Sequence, residues 1–201
     1  MPMARHVGSR RPVLLRSLLA ILAAVAALAP SPLAQERLAP FVVTPDDVVE
    51  RMLRLASVEA GDVLYDLGSG DGRIVIAAAK LFGARGVGID IDPALVDRAR
   101  ANAAAAGVAE RVTFRLEDAM TADISDATVV TLYLLAASNV KLRPRLEAQL
   151  RPGTRIVAHN FGMGDWEPQK VDTFRDQGGT TRTLYLWTIS GRPEGRPLPN
   201  R

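Results

Sequence analysis

The sequence predicts an α/β fold, with a mostly parallel, doubly wound sheet that ends in an antiparallel hairpin. From residue 63 onward, short apolar runs alternate with segments of helical periodicity, which is the pattern of successive βα units. The first apolar run, 63–67, leads into a turn with glycine at every second position (68–72), and helical sequence follows at once. Near the carboxyl end, residues 177–179 (QGG) separate two strand-like runs and predict the hairpin.

Local sequence justifies each element in turn. Ahead of the sheet, Thr44 is the predicted N-cap of a helix that has Pro45 in its first position and acids in its first turn. The run 128–134 is almost entirely apolar, as expected of a central parallel strand covered on both faces. The other predicted strands are 63–67, 86–90, 111–115, 154–160, 170–175 and 181–189, and the predicted helices after the first are 72–82, 93–106 and 138–150.

The glycine turn predicts a cofactor site, because glycine is needed where φ is positive or where a ligand lies against the main chain. A dinucleotide fingerprint would need glycine where Arg73 stands, and neither a P-loop nor a nucleophile elbow fits the spacing. The remaining pattern, acid-x-G-x-G-x-G from Asp66 to Gly72, is the first motif of class I S-adenosylmethionine (SAM) methyltransferases. A turn that binds nothing is the alternative, and the entropic cost of three alternate glycines argues against it.

A second acid ends the next predicted strand. Asp90 follows Gly70 by 20 residues, where a carboxylate can accept hydrogen bonds from the ribose hydroxyls of an adenosine group. Taken alone, Asp90 would be better explained as a solvated acid at a strand end. The glycine turn at the right distance makes ribose binding the stronger hypothesis.

Longer stretches of the chain resemble one branch of the protein-lysine methyltransferases. This branch includes the mitochondrial enzyme that methylates the c-ring protein of ATP synthase and a broad-specificity archaeal relative. The similarity is carried by residues 65–80 (YDLGSGDGRIVIAAAK), 88–93 (GIDIDP), 129–135 (VVTLYLL) and 151–155 (RPGTR), with Thr44-Pro45 and Val48-Val49 ahead of them. It spans 41–190, so we expect one methyltransferase domain over that range.

The resemblance implies a Rossmann-like seven-stranded methyltransferase sheet, SAM as cofactor and protein lysine as methyl acceptor. It implies that Asp118 accepts a hydrogen bond from the adenine amino group of SAM, and a loop-capping role for Asp118 is the alternative. It also brings Phe41 and Thr44 near the methionine end of SAM, although core contact and helix capping explain these two residues equally well. The cofactor-binding residues expected from motif and resemblance together are Thr44, Asp66, Gly68, Ser69, Gly70, Asp71, Asp90 and Asp118.

Two residues are candidates for catalytic groups beside the transferred methyl group. Tyr133 lies in the loop after the fourth strand, where nucleobase and glutamine amino-methylases carry (D/N)PP(Y/F), and it could orient an amine or only pack. His159 ends the fifth strand, and a lone histidine is more often structural than a base. Phe161, Trp166 and Tyr185 could be core aromatics or walls around a methylated ammonium.

Metal and nucleic-acid chemistry are not expected. The loop around Tyr133 offers no carboxylate or amide ligands beside the methyl position, which argues against a metal-dependent catechol-type enzyme. The net charge of +3 comes from the arginine-rich amino terminus, arginine is otherwise spread out, and no nucleic-acid-binding motif occurs. A small-molecule N- or O-methyltransferase and a non-catalytic SAM-binding module remain alternatives, because acceptor loops vary freely on one fold.

Residues 1–34 have the pattern of a signal peptide or signal anchor. Four arginines precede the uninterrupted apolar run 18–29, and a small-residue exit follows at 30–34. The run is short for a transmembrane helix, which needs about 20 apolar residues, but 14–29 could still associate with a membrane. The predicted location is therefore exported, periplasmic or anchored in the inner membrane, which conflicts with the cytosolic supply of SAM. A disordered tail is predicted over 191–201, which is rich in proline and glycine.

Overall fold

The structure, a computed structural model, describes residues 38–39 and 41–191. In this part of the chain, helices and strands alternate up to the third strand, no helix separates the third strand from the fourth, and the last three strands follow one another directly. The helices are α1 Asp46–Leu55, α2 Arg73–Phe82, α3 Pro93–Ala105 and α4 Ala136–Gln149. The strands are β1 Val63–Leu67, β2 Arg85–Asp90, β3 Val112–Leu116, β4 Val129–Leu132, β5 Arg155–His159, β6 Lys170–Arg175 and β7 Thr181–Thr188.

The strands form one seven-stranded sheet in the order β3-β2-β1-β4-β5-β7-β6. The first five strands pair in parallel, and β7 pairs antiparallel with both β5 and β6. This confirms the predicted α/β, Rossmann-like architecture with its carboxyl-terminal hairpin. Because the chain runs outward from β1 to β3 and then returns to β4 on the other side, β1 and β4 flank a topological switch point. Open α/β sheets bind ligands at this point, beyond the carboxyl ends of the strands.

Apolar side chains cover both faces of the sheet. Successive strand residues alternate between two cores, so that Leu64 packs on one face and Tyr65 on the other. Helices α1, α2 and α3 cover the first face, while α4 and the loop 119–127 cover the second. The fully buried run Val129–Leu132 reflects this double cover, as the sequence predicted for a central parallel strand.

Several predicted boundaries differ by one or two residues, and tertiary contacts explain two of the differences. Thr44 is not the N-cap of α1: Pro45 holds that position, no side chain caps the helix, and Thr44 is buried with 3% exposure. Its carbonyl instead accepts a hydrogen bond from Arg73 Nη1 at 3.0 Å. Strand β4 is shorter than 128–134, because its pairing with β1 ends at Leu132 and the chain then turns into α4.

The predicted terminal segments lie largely outside the described residues. This holds for the signal segment 1–34 and for the tail beyond residue 191. No helix in the described part of the chain is both long and apolar enough to cross a membrane.

Candidate SAM-binding and methyl-transfer site

A cleft of about 820 Å³, a volume that includes its open mouth, lies at the carboxyl ends of β1, β2 and β4. The glycine turn after β1 forms its floor, and the segment before α1 (38–39 and 41–45, hereafter the pre-helix segment) forms one wall. All the predicted cofactor-binding residues therefore meet in one place, together with Tyr133. The predicted site residues that line the cleft are Thr44, Asp66, Gly68, Ser69, Gly70, Asp71, Asp90, Asp118 and Tyr133.

The glycine turn needs glycine for conformation and for space. Gly68, Gly70 and Gly72 all have positive φ, at 83°, 54° and 82°. A Cβ on Gly70 would lie 2.5 Å from the Phe41 ring, and one on Gly68 would lie 2.8 Å from Leu134. The turn therefore brings bare main chain to the cleft, since a side chain on Gly70 would meet Phe41 and one on Gly68 would meet Leu134.

The main chain fixes two carboxylates along the cleft. Asp90 accepts hydrogen bonds from the Gly70 amide at 2.8 Å and the Asp92 amide at 3.0 Å. Asp118 accepts one from the Met120 amide at 2.8 Å. Since a carboxylate oxygen has two lone pairs, both groups keep acceptor capacity toward the cleft. Asp90 lies beside the glycine turn and Asp118 beyond the end of β3, as ribose and adenine contacts would require.

Asp66 is the most perturbed acid of the site. It is 2% exposed, and Thr131 on the neighbouring strand donates its hydroxyl to Asp66 Oδ1 at 2.8 Å. Burial raises the pKa of Asp66 to about 7, and the charges of Asp90 and Asp71 add to the effect, while the Thr131 hydrogen bond opposes it. A cation in the cleft would favour the ionised form of Asp66. The sequence offered no signal for Thr131, since its contact depends on the β1–β4 register.

Arg73 is the site residue that sequence reasoning missed. Its guanidinium makes two hydrogen bonds to Asp71, at 2.9 and 2.6 Å, and a third to the Thr44 carbonyl. Burial opposes ionisation of Asp71, but the hydrogen bonds and charge of Arg73 outweigh it and hold the pKa of Asp71 below its ordinary value. Arg73 thus ties the glycine turn to the pre-helix segment. The sequence did contain a signal for Arg73, because it stands at the position where a dinucleotide fingerprint has glycine.

Tyr133 and His159 form a pair in which only Tyr133 reaches the cleft. Their ring centroids are 4.0 Å apart with a tilt of 32°, and His159 is fully buried, with no hydrogen-bond partner for either nitrogen among the described residues. Burial, with the nearby charge of Arg182, lowers the pKa of His159 to about 4, so its imidazole is neutral at physiological pH. His159 does not line the cleft, so it lies behind Tyr133.

The other aromatic candidates lie away from the cleft. Phe161, Trp166 and Tyr185 are not among its lining residues. The Trp166 ring already carries the guanidinium of Arg143, 5.3 Å from the ring centroid, and the Trp166 carbonyl accepts a hydrogen bond from Trp187 Nε1. Within the described residues, no three histidine or acidic side chains are grouped so that they could hold a metal ion.

Comparison with known proteins identifies the family. The ANTKMT methyltransferase domain matches residues 66–170, more than half of the chain. The chain belongs to the ANTKMT methyltransferase family. A protein-lysine N-methyltransferase from Saccharolobus islandicus is 44% identical over 75% of this chain and 93% of its own length. The adenine nucleotide translocase lysine N-methyltransferase of mouse is 33% identical over 76% of this chain, which spans only 64% of the mouse protein.

A solved structure supports both the fold and the cofactor of this methyltransferase. It is described as an RNA methyltransferase from Salinibacter ruber in complex with S-adenosyl-L-homocysteine, with 60% identity and a TM-score of 0.70 over 76% of this chain and 97% of that one. The cofactor is SAM. The cleft fits it: carboxylates suit its positive charge, and the Ser69 hydroxyl, 5% exposed, has no partner among the described residues.

Proposed function

We propose that this methyltransferase transfers methyl groups from SAM to lysine ε-amines of a protein. The observation that carries the proposal is the charge of the cleft, together with the name of the Saccharolobus relative. Among the residues that the structure describes, six carboxylates and one arginine line the cleft, and the arginine is already paired with Asp71. Such a cleft attracts a cationic side chain and repels phosphate. The carboxylates are Asp66, Asp71, Asp90, Asp92, Glu117 and Asp118.

In this proposal the cofactor lies across the carboxyl ends of three strands. Asp118 contacts the adenine amino group, and Asp90 accepts hydrogen bonds from the ribose hydroxyls. The main chain of Gly68-Ser69-Gly70 supports the methionine part, with Thr44 beside it. Asp66 provides the negative charge nearest to that end, and Asp71 contributes through its ion pair with Arg73, which keeps the wall of the site in place.

The protein aligns the acceptor with the methyl group of SAM, which is already activated. SAM supplies a methyl group on a sulfonium, so the protein needs to provide neither a metal nor a nucleophile. Tyr133 and Leu134 form the wall beside the methyl position. The Tyr133 hydroxyl orients the amine. The apolar side chain of Leu134 beside it disfavours the ammonium form, so that the amine there is neutral and has the lone pair that attacks. His159 contributes by supporting the Tyr133 ring.

A nucleic-acid substrate is the second candidate, because the Salinibacter structure at 60% identity is described as an RNA methyltransferase. The carboxylates of the cleft argue against this substrate, because nucleic-acid-binding proteins usually contact the phosphate backbone with lysine and arginine. A small-molecule acceptor and a non-catalytic SAM-binding role are the remaining alternatives.

Methyl-labelled SAM added to whole-cell fractions separates these functions. The proposal predicts label in material that protease digests and ribonuclease leaves intact. Label lost on ribonuclease treatment would assign an RNA substrate, and label confined to small metabolites would assign a small-molecule enzyme. Binding of SAM without any methyl transfer would indicate a non-catalytic SAM-binding module. Asp90→Ala is the control, because with SAM kept below the dissociation constant of the parent it should reduce labelling about thirtyfold in every enzymatic case.

We further propose that residues 1–34 direct the protein to export or to the inner membrane, with 14–29 in contact with the bilayer. The support is the arginine-flanked apolar run in the sequence. Fractionation of cells that produce the full chain provides the test. Intact chain recovered only from the soluble cytosol would contradict this location, and that result would also remove the conflict with the cytosolic supply of SAM.

A further inference from the structure

Five large apolar side chains are exposed on two segments that reach the cleft, and two of them, Phe41 and Val42, line it. The five lie on the pre-helix segment and at the amino end of α4, and each is between 41% and 54% exposed. We call them the apolar rim: Phe41, Val42, Val43, Leu135 and Val140.

The two parts of the apolar rim adjoin. The Ser138 hydroxyl, in the first turn of α4, donates a hydrogen bond to the Leu38 carbonyl in the pre-helix segment. Phe41 and Val42 line the cleft from one side. Leu134, which lines it from the other, directly precedes Leu135. Apolar side chains of the pre-helix segment and of Leu134 therefore border the cleft on two sides.

The rest of the described surface shows no comparable grouping. The remaining large exposed apolar side chains are Leu81, Leu116 and Val171, which lie singly on α2, β3 and β6. Single exposed apolar residues are normal on a soluble protein, whereas a group beside a functional cleft indicates a binding surface.

The charge inside the cleft restricts what the apolar rim can receive. The lining carboxylates favour a cation, so an anionic lipid headgroup or a phosphate would be repelled there. A basic segment with polar neighbours would satisfy the carboxylates but leave the apolar rim in water. The ligand that satisfies both is a cationic side chain between apolar ones.

We propose that the apolar rim docks the acceptor protein and selects a lysine whose neighbours in the chain are apolar. This inference rests on lysine methylation as the proposed function. Binding such a segment would cover the half-exposed side chains on both borders of the cleft. Selectivity would then come from apolar contact at the rim, while the negative charge of the cleft attracts the lysine and Tyr133 orients its amine.

Two dye-labelled peptides of equal length and charge test the proposal, one with leucine and valine around a central lysine and one with serine and glycine. Binding is measured by fluorescence anisotropy on protein saturated with S-adenosyl-L-homocysteine, and methylation is measured separately with SAM. We expect the apolar peptide to bind about tenfold more tightly, as partial burial of two or three such side chains implies. The double variant Val42→Ser/Leu135→Ser should reduce this preference to about twofold.

The double variant Leu81→Ser/Val171→Ser is the matched control, since it removes the same kind of exposed side chain far from the cleft. It should keep the full preference. Equal binding of both peptides to the unaltered protein would overturn the proposal, as would a preference that survives in the rim variant. Loss of flotation with neutral phosphatidylcholine vesicles in the rim variant, with peptide preference unchanged, would assign the rim to a lipid surface instead. Rim-dependent peptide binding without methylation would support the docking surface and contradict lysine methylation.

Discussion

Replacing Asp66 by asparagine should stabilise the cofactor-free protein while weakening SAM binding. Asp66 is buried at the end of β1, with one hydrogen bond from Thr131, and its pKa is raised to about 7. Because the folded state holds this proton more tightly than the unfolded chain, folding stability falls as pH rises from the ordinary pKa of 3.8 to about 7. At about 1.4 kcal/mol per pKa unit, that difference corresponds to a cost of about 4 kcal/mol for ionised Asp66.

Asparagine keeps the shape and the acceptor oxygen but cannot ionise. Its amide hydrogens need new partners, which costs about 1–3 kcal/mol and offsets part of the gain. We therefore expect Asp66→Asn to unfold at higher denaturant concentration than the parent at about pH 8, with a gain of about 2 kcal/mol. At about pH 5 the gain should vanish or reverse, because Asp66 is then mostly protonated in the parent.

Cofactor binding should respond in the opposite sense. SAM carries positive charge, so it favours ionised Asp66, and calorimetry should show the affinity of the parent rising between about pH 6 and pH 8. The Asp66→Asn variant should bind about thirtyfold more weakly at the upper pH and lose most of the pH dependence. Thr131→Val is a useful companion, because loss of the hydroxyl should move the transition to higher pH. Equal destabilisation of Asp66→Asn at both pH values, or a pH-independent SAM affinity of the parent, would refute this reasoning.

Three further predictions address individual site residues. Asp90→Ala should weaken SAM binding about thirtyfold, because removing one partner of a charge-assisted hydrogen bond costs about 2 kcal/mol of binding free energy. An unchanged SAM affinity in calorimetry would exclude the ribose contact. Tyr133→Phe should lower the methylation rate more than it weakens SAM binding, because its hydroxyl is assigned to the acceptor; parallel losses would contradict that assignment. His159→Phe should keep the ring contact with Tyr133 and retain the rate within about threefold, whereas His159→Leu should lose about tenfold. Equal losses in both histidine variants would show that the imidazole nitrogens are needed.

Sequence reasoning succeeded where function depends on a short local pattern. The glycine turn and Asp90 carry their own signal, because the turn is encoded by alternate glycines over residues 68–72 and Asp90 ends the next strand, 20 residues after Gly70. The α/β sheet with its terminal hairpin followed from the alternation of elements and the hairpin turn, and the family resemblance implied its seven strands. All the predicted cofactor residues consequently appear around one cleft.

Features that depend on contacts distant in sequence could not be predicted. Thr44 satisfies every local rule for an N-cap, yet Arg73, 29 residues away, holds its carbonyl in the wall of the cleft. His159 was a candidate base by position, and only the packing of β5 behind Tyr133 shows that it lies outside the cleft. The apolar rim joins segments that are about 100 residues apart, as the Ser138–Leu38 hydrogen bond shows.

Mass spectrometry of the methylated acceptor tests lysine methylation most directly. The full chain is incubated with limiting deuterium-methyl SAM and a cell extract at several pH values, with Asp90→Ala as the control of weakened SAM binding. We expect mono- to trimethyl groups on lysine ε-nitrogens of protein, strongly reduced in the control, and a rate that rises with pH as more of the acceptor amine becomes neutral. Label on RNA, on arginine or carboxylates, or only in small molecules would contradict the lysine assignment.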